Sequence, residues 1–218
     1  MAPFSDHGGP EGWSAIIAHQ LKTPLCALDA KLAGRGQLER DLLRRDIQRL
    51  THLIDQLQTL GQCQDGGPGQ IERPPLAEVV RRICVSLLPL ALTRDQIVVL
   101  RDLSGEARPA IRTDLVGEAV SNLVENALKY APDGSQVTVV VTARPAIHVL
   151  DRGPGVSQPH DGTIFQPFRR GRLAAKSTSG TGLGLYVADR VMRRHGGELS
   201  HRSRRGGGTT FTMTFPPS

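Results

Sequence analysis

The stretch SNLVENALKYA, residues 121–131, decides the fold assignment because it reads as one helix with two chemically different faces. Asn122, Asn126 and Lys129 are spaced i, i+4 and i+7 and therefore lie on one face. Amide oxygens are suitable neutral ligands for Mg²⁺, and a lysine ammonium suits phosphate oxygens. An ordinary helix with a solvated outer face is the alternative, which this segment alone leaves open. The other face is apolar: Val120, Leu123, Val124, Ala127 and Leu128.

The segments on either side of this helix predict an α+β fold, a two-layer sandwich of helices on a sheet. Helices are predicted over residues 76–92, 114–130 and 181–197. Strands are predicted over residues 96–100, 136–143, 146–151 and 208–215, in a largely antiparallel sheet. The segment between Gly155 and Gly180 has little periodicity and the length of a lid or binding loop.

The N-terminal part predicts a different domain, an antiparallel helical hairpin over residues 11–64, followed by the second domain over 70–218. Apolar residues recur at steps of three and four on both sides of a GRG turn at 34–36. The second helix is predicted to end at the glycine-rich linker GQCQDGGPG, residues 61–69. A single hairpin cannot bury its own apolar seam, so we expect a homodimer with a four-helix bundle.

Composition and charge narrow the function classes. The net charge of +6 raises nucleic-acid binding as an alternative, but the arginines are scattered and not interleaved with aromatic residues. No nucleic-acid partner is therefore expected. Three cysteines without a CxxC pair are typical of reduced thiols in a cytosolic protein. No apolar run reaches the roughly 20 residues that span a bilayer, so no membrane segment is expected in this chain.

The stretch HQLKTPL, residues 19–25, places a histidine on the first hairpin helix. His19 lies two residues before the seam residue Leu21, which puts its ring on the opposite side of the helix. Pro24 cannot donate a hydrogen bond to the carbonyl of Gln20, so we expect a local loosening beside His19. A neutral imidazole is a good nucleophile and can carry a phosphoryl group. The other histidines are interpreted as ordinary residues: His7, His52, His148, His160, His195 and His201.

Three short motifs follow the helix at 121–131. DRGPG, residues 151–155, comes after a predicted strand and offers a carboxylate that can accept an adenine amino group. FQPFRRG, residues 165–171, lies in the predicted lid and carries arginines that suit phosphate. GTGLGL, residues 180–185, opens a helix, where backbone N–H groups and the helix dipole favour phosphate. Each motif is weak alone, because many turns and solvated lid charges give the same pattern.

Taken together and in this order, the motifs resemble the H-box, N-box, G1 box, F-box and G2 box of sensor histidine kinases, over about residues 12–216. The resemblance implies that His19 is phosphorylated from ATP and passes the phosphoryl group to an aspartate of a response-regulator receiver domain. Thr23 matches the position that orients water for dephosphorylating the regulator. Gln20 stands where the family usually has Asp or Glu. An amide cannot take up a proton at neutral pH, but it can orient the ring.

The resemblance also implies a site for ATP with Mg²⁺. It assigns Asn126 to Mg²⁺ with Asn122 beside it, Lys129 to phosphate, Tyr130 to the nucleotide and Asp151 to the adenine amino group. The remaining nucleotide-binding candidates are Gly153 and Gly155 in the G1 box, Arg169 and Arg170 in the lid, and Gly180, Gly182, Leu183 and Gly184 in the G2 box.

Two features of the sequence favour a kinase over the hydrolysing relatives of this ATPase domain. In those relatives a glutamate four residues before the metal-binding asparagine activates water, whereas this chain has Asn122 there. The hairpin histidine is the second feature. The alternatives are a non-catalytic phosphotransfer or scaffold dimer for a response regulator, and a nucleic-acid-binding ATPase. A cytoplasmic location is expected, as a free kinase or as the cytoplasmic part of a larger or membrane-bound sensor.

Overall fold

The computed structural model describes residues 37–64, 69–156, 163–168 and 181–217. The chain divides into two compact units between Asp55 and Gln56. The first predicted hairpin helix, which carries His19, Gln20 and Thr23, lies outside the described residues. The hairpin and its dimerisation therefore stay predictions.

The second predicted hairpin helix is present as α1, Gln37–Gln64, and each unit contains part of it. The sequence predicted an end at Gly61, but α1 continues through this glycine to Gln64. Gln56 and Leu60, in the second unit, are 1% and 5% exposed. Burial of these last turns offsets the cost of a helical glycine, about 1 kcal/mol. Of the helices in the described ranges, none combines the length and the apolar character needed to cross a membrane.

The second unit is built on a five-stranded mixed sheet with the strand order β1-β2-β3-β5-β4. The strands are β1 Ile97–Leu103, β2 Gln136–Thr142, β3 Ala146–Leu150, β4 Glu198–Ser203 and β5 Thr209–Thr214. β1 pairs with β2 in parallel and the other pairings are antiparallel, as the sequence predicted for most of the sheet. The sequence missed β4, because this edge strand buries only Leu199 and shows no apolar alternation.

The described part of the second unit contains four further α-helices, α2 Leu76–Ser86, α3 Leu88–Leu92, α4 Thr113–Tyr130 and α5 Gly184–Arg194, and a short 3₁₀ helix at Thr163–Phe165. Along β2, Val137, Val139 and Val141 are fully buried, whereas the residues between them are partly exposed. The helix α4 packs against α5, α2 and the strands β2 and β3. These contacts confirm the predicted α+β fold for this part of the chain.

Candidate nucleotide-binding site

The helix α4 carries the candidate metal and phosphate ligands at the predicted spacing, on a helix whose apolar side is buried. Asn122 is 3% exposed, whereas Asn126 and Lys129 are partly exposed. The side chain of Asn126 forms no hydrogen bond with any residue in the described part of the chain. The Lys129 ammonium lies 4.9 Å from the centroid of the Tyr130 ring. The amide oxygen of Asn126 is therefore available to a ligand beside a lysine.

Asn122 is held inside the protein by hydrogen bonds at both ends of its amide. Its Nδ2 donates to the carbonyl oxygen of Glu118 at 3.0 Å and to the Glu118 carboxylate at 3.3 Å. Its Oδ1 accepts a hydrogen bond of 2.7 Å from Nε2 of Gln56. In this conformation Asn126, rather than Asn122, presents the open amide oxygen.

The C-terminal end of α4 is fixed by two side chains from the segment before β1. The Arg94 guanidinium donates to the carbonyls of Leu128 and Lys129, the latter at 2.8 Å, and pairs with Asp133 at 2.8 Å. Gln96 donates to the carbonyl of Ala131 at 3.2 Å. The last carbonyls of a helix have no partner within the helix, so these bonds hold the turn that carries Lys129.

Asp151 follows β3 directly, and its side chain is buried in the turn that the sequence singled out. Oδ1 accepts hydrogen bonds from the backbone N–H groups of Gly153 at 2.7 Å and Thr209 at 3.1 Å. Oδ2 receives no hydrogen bond from the described residues, so it can accept one from a ligand. Burial raises the pKa of the Asp151 carboxyl above its ordinary value, and the two backbone bonds oppose that shift.

Two glycines bring this turn against its neighbours. A Cβ at Gly153 would lie 2.8 Å from the carbonyl oxygen of Tyr130, so the turn packs directly on the end of α4. Gly208 has φ +96°, and a Cβ there would lie 2.2 Å from the carbonyl oxygen of Asp151. Gly155 also has a positive φ, +77°. Only glycine combines these backbone conformations with such close approach.

The glycine loop, residues 181–184 at the start of α5, contacts α4 at Asn122. A Cβ at Gly184, the first residue of α5, would lie 2.8 Å from Oδ1 of Asn122. Within this loop the backbone N–H of Leu183 donates to the Thr181 hydroxyl at 3.2 Å. Gly182 has φ +74°, and its carbonyl accepts a bond from Phe168. Arg169, Arg170 and Gly180 lie outside the described residues.

The donor set fits Mg²⁺. Within the described ranges, no three or more His, Cys, Asp or Glu side chains are grouped so that they could hold a metal ion. The open oxygen of Asn126 is a hard neutral ligand, and Mg²⁺ commonly takes few protein ligands because it retains waters and binds substrate phosphates. Asn126 thus remains the candidate metal ligand.

The family model of histidine kinase-, DNA gyrase B- and HSP90-like ATPases matches residues 112–218. The sensor protein IrlS of Burkholderia pseudomallei is 32% identical over 218 residues, and the sensor-like histidine kinase SenX3 of Mycolicibacterium smegmatis is 31% identical over 221 residues. The chain belongs to the histidine kinases. The two alignments cover 94% and 93% of this kinase chain but 46% and 56% of the relatives, so it spans about half their length.

Solved structures of histidine kinases share this fold. The histidine kinase AdeS of Acinetobacter baumannii matches with a TM-score of 0.71 at 20% identity, over 90% of this chain and 96% of AdeS. The mycobacterial sensor histidine kinase MprB matches with a TM-score of 0.57 at 25% identity, over 67% of this chain and 97% of MprB. The kinase core therefore contains an ATP-binding domain of the family's fold.

His195 is a residue of the kinase core that the sequence interpretation missed. Its Nε2 accepts a bond of 2.9 Å from the backbone N–H of Arg112, and its Nδ1 lies 2.7 Å from the carbonyl of Val191. Arg112 precedes α4 and Val191 lies in α5. A neutral imidazole therefore joins the helix that carries Asn126 and Lys129 to the helix that follows the glycine loop. Burial lowers the pKa of His195, which favours this neutral form.

The kinase core should lose stability as pH falls, because the unfolded chain binds a proton at His195 that the folded chain resists. Since the folded pKa is depressed, the loss begins near pH 6.5, the ordinary histidine value, and continues downward. We expect about 1 kcal/mol less free energy of unfolding at pH 5.5 than at pH 7.5, measured by urea titration.

The variant His195→Gln should have a flatter pH profile than wild type. His148, whose pKa burial also lowers, contributes in the same direction, so His148→Gln serves as the comparison. Equal slopes for wild type and His195→Gln would contradict the neutral imidazole.

Proposed function

We propose that the kinase core transfers the γ-phosphoryl group of Mg-ATP to His19 and then to an aspartate of a response-regulator receiver domain. The observation that carries the proposal is that α4 borders both the DRGPG turn, residues 151–155, and the glycine loop at the start of α5. A Cβ at Gly153 would lie 2.8 Å from the carbonyl oxygen of Tyr130, and a Cβ at Gly184 would lie 2.8 Å from Oδ1 of Asn122. A single nucleotide site requires such proximity. The similarity to sensor kinases supports the histidine as the acceptor.

In the proposed complex, this chain's own groups bind and orient the nucleotide. Oδ2 of Asp151 would accept a hydrogen bond from the adenine amino group, and Gly153 and Gly155 leave space for the base. Lys129 would offset phosphate charge, while Tyr130 borders the nucleotide. Asn126 would hold Mg²⁺, which would supply further charge neutralisation on the phosphates. The other proposed phosphate contacts are Arg169 and Arg170, and the backbone of Gly180, Gly182 and Gly184, with Leu183 beside them in the same loop.

The chemical step is an in-line displacement at phosphorus. The lone pair of the unprotonated ring nitrogen of His19 forms the N–P bond, while the bond from the γ-phosphorus to the bridging oxygen breaks and ADP leaves with its electron pair. The proton on the other ring nitrogen stays there during attack and is then lost to water. Gln20 would accept a hydrogen bond from that N–H and orient the ring. Positioning the two reactants supplies most of the acceleration.

The hairpin is proposed to form a homodimer in the cytoplasm. Ile47 and Ile54 of α1, seven residues apart, are 50% and 46% exposed, so one face of this helix offers apolar side chains to a second copy. The same hairpin would bind the receiver domain, and Thr23 would orient water when the regulator is dephosphorylated. A scaffold that binds a regulator without phosphorylating itself is the alternative.

The proposal is tested with γ-labelled ATP and Mg²⁺. We expect an acid-labile, base-stable label on wild type, and less than about 1% of it on His19→Gln, which removes the nucleophile. His52→Gln is the matched control, because this histidine also lies in the predicted hairpin, on α1. Asn126→Ala should lose the label through loss of Mg-ATP affinity, read separately with a fluorescent nucleotide.

Absence of label from wild type that still binds Mg-ATP would contradict the autokinase activity and favour the scaffold. An unaltered label in His19→Gln would contradict His19 as the acceptor. Transfer from labelled wild type to an isolated receiver domain then tests the second half of the reaction.

A further inference from the structure

The side chain of Gln56 connects two of the nucleotide motifs. It lies in the part of α1 that belongs to the second unit and is 1% exposed. Its Nε2 donates to Oδ1 of Asn122 at 2.7 Å, and its Oε1 accepts from the Thr181 hydroxyl at 2.9 Å. One buried carboxamide therefore joins α4 to the glycine loop.

The network ends on two backbone groups, the carbonyl of Glu118 and the N–H of Leu183, and these fix the direction of each hydrogen bond between them. The Glu118 carbonyl only accepts, so Asn122 turns Nδ2 toward it and Oδ1 toward Gln56. Gln56 must then present Nε2 to Asn122 and Oε1 to Thr181, which donates. The Thr181 oxygen in turn accepts from the backbone N–H of Leu183 at 3.2 Å. A glutamate at position 56 could not make both bonds when ionised.

The network sits where the backbone of α5 begins. The Cβ position of Gly184 is 2.8 Å from Oδ1 of Asn122 and 3.5 Å from Nε2 of Gln56. The two amides thus set how closely the glycine loop approaches α4. A loss of either bond would leave a buried polar group without its partner and let the loop shift.

We propose that Gln56 is a positioning residue for the nucleotide, acting through Asn122 and Thr181 to hold the glycine loop in its phosphate-binding conformation. The inference rests on the proposed ATP site. It assigns to the last turns of α1 a part in nucleotide affinity, beyond their place in the predicted hairpin.

Gln56→Glu is the first test, because it keeps the shape of the side chain and the acceptor for Thr181 but removes the donor to Asn122. We expect the dissociation constant of a fluorescent ATP analogue with Mg²⁺ to rise about tenfold. In the labelling assay KM for ATP should rise by a similar factor, with kcat changed less than about threefold. Gln58→Glu is the matched control, since Gln58 is an exposed glutamine on the same helix.

Thr181→Val removes the hydroxyl that bonds to Gln56 and to the backbone N–H of Leu183. This variant tests the inference even if Gln56→Glu does not fold. Thr181→Ser retains the hydroxyl and should restore affinity to within about twofold of wild type. In a double-mutant cycle, Gln56→Leu should add little to the loss already caused by Thr181→Val, because both remove one connected unit. Thermal unfolding of each variant separates this effect from general loss of structure.

Unchanged or tighter nucleotide binding by Gln56→Glu or Thr181→Val would overturn the inference, as would full additivity in the cycle. A wild type that binds no Mg-ATP would overturn the proposed function instead, so the two failures are distinguishable. Lower thermal stability with unchanged affinity would reduce Gln56 to a structural residue and would also overturn the inference.

Discussion

Replacement of Asp151 by asparagine is expected to lower the affinity of the kinase core for ATP about 100-fold, or about 2.7 kcal/mol. Asparagine can retain both backbone hydrogen bonds at Oδ1, from Gly153 and Thr209. It replaces the acceptor Oδ2 with an amide donor, which would face the donating amino group of the adenine. Titration with a fluorescent ATP analogue and Mg²⁺ measures the loss.

The fold of Asp151→Asn should persist. Because burial raises the pKa of Asp151, ionisation costs folding free energy as pH rises through that folded pKa, and an amide carries no such cost. We expect a free energy of unfolding within about 1 kcal/mol of wild type at pH 7.5. Asp102→Asn is the matched control, since Asp102 also accepts a bond from the backbone N–H two residues on, Ser104, but lies on the edge strand β1. Equal affinity in both variants would refute the adenine assignment.

The second large effect is expected on stability, for Gly208→Ala, at about 2–6 kcal/mol of unfolding free energy. A non-glycine residue at φ +96° costs about 1–3 kcal/mol. The new methyl would also lie 2.2 Å from the carbonyl oxygen of Asp151, and moving one of these two backbone segments costs about 1–3 kcal/mol more. Urea unfolding of purified protein measures the sum.

Gly105→Ala separates the two contributions. Gly105 also has a positive φ, +55°, but nothing lies within 4 Å of its Cβ position, so only the conformational cost of about 1 kcal/mol remains. Similar losses for the two variants would show that contact with the Asp151 turn contributes nothing. A folded Gly208→Ala variant should also bind ATP more weakly, because the displaced backbone belongs to Asp151.

Local periodicity predicted much of the second unit. The alternation in β2 and β5, and the apolar stripe of α4, record burial on one face of each element, which a single chain segment reveals by itself. The sequence did not predict the polar edge strand β4, because only Leu199 in this strand is buried. The end of α1 was predicted too early, since Gly61 is a helix breaker only where packing does not hold the helix.

The sequence by itself determined which residues are candidates for nucleotide binding, because residue type, spacing on one helix face and position after a strand single out Asn126, Lys129 and Asp151. Only the tertiary structure decided what holds them. Gln56 meets Asn122 across 66 residues and Thr181 across 125. The bond from Arg112 to His195 spans 83 residues. No local pattern encodes such pairings, since a buried glutamine or histidine becomes specific only when folding brings the group that completes its hydrogen bonds.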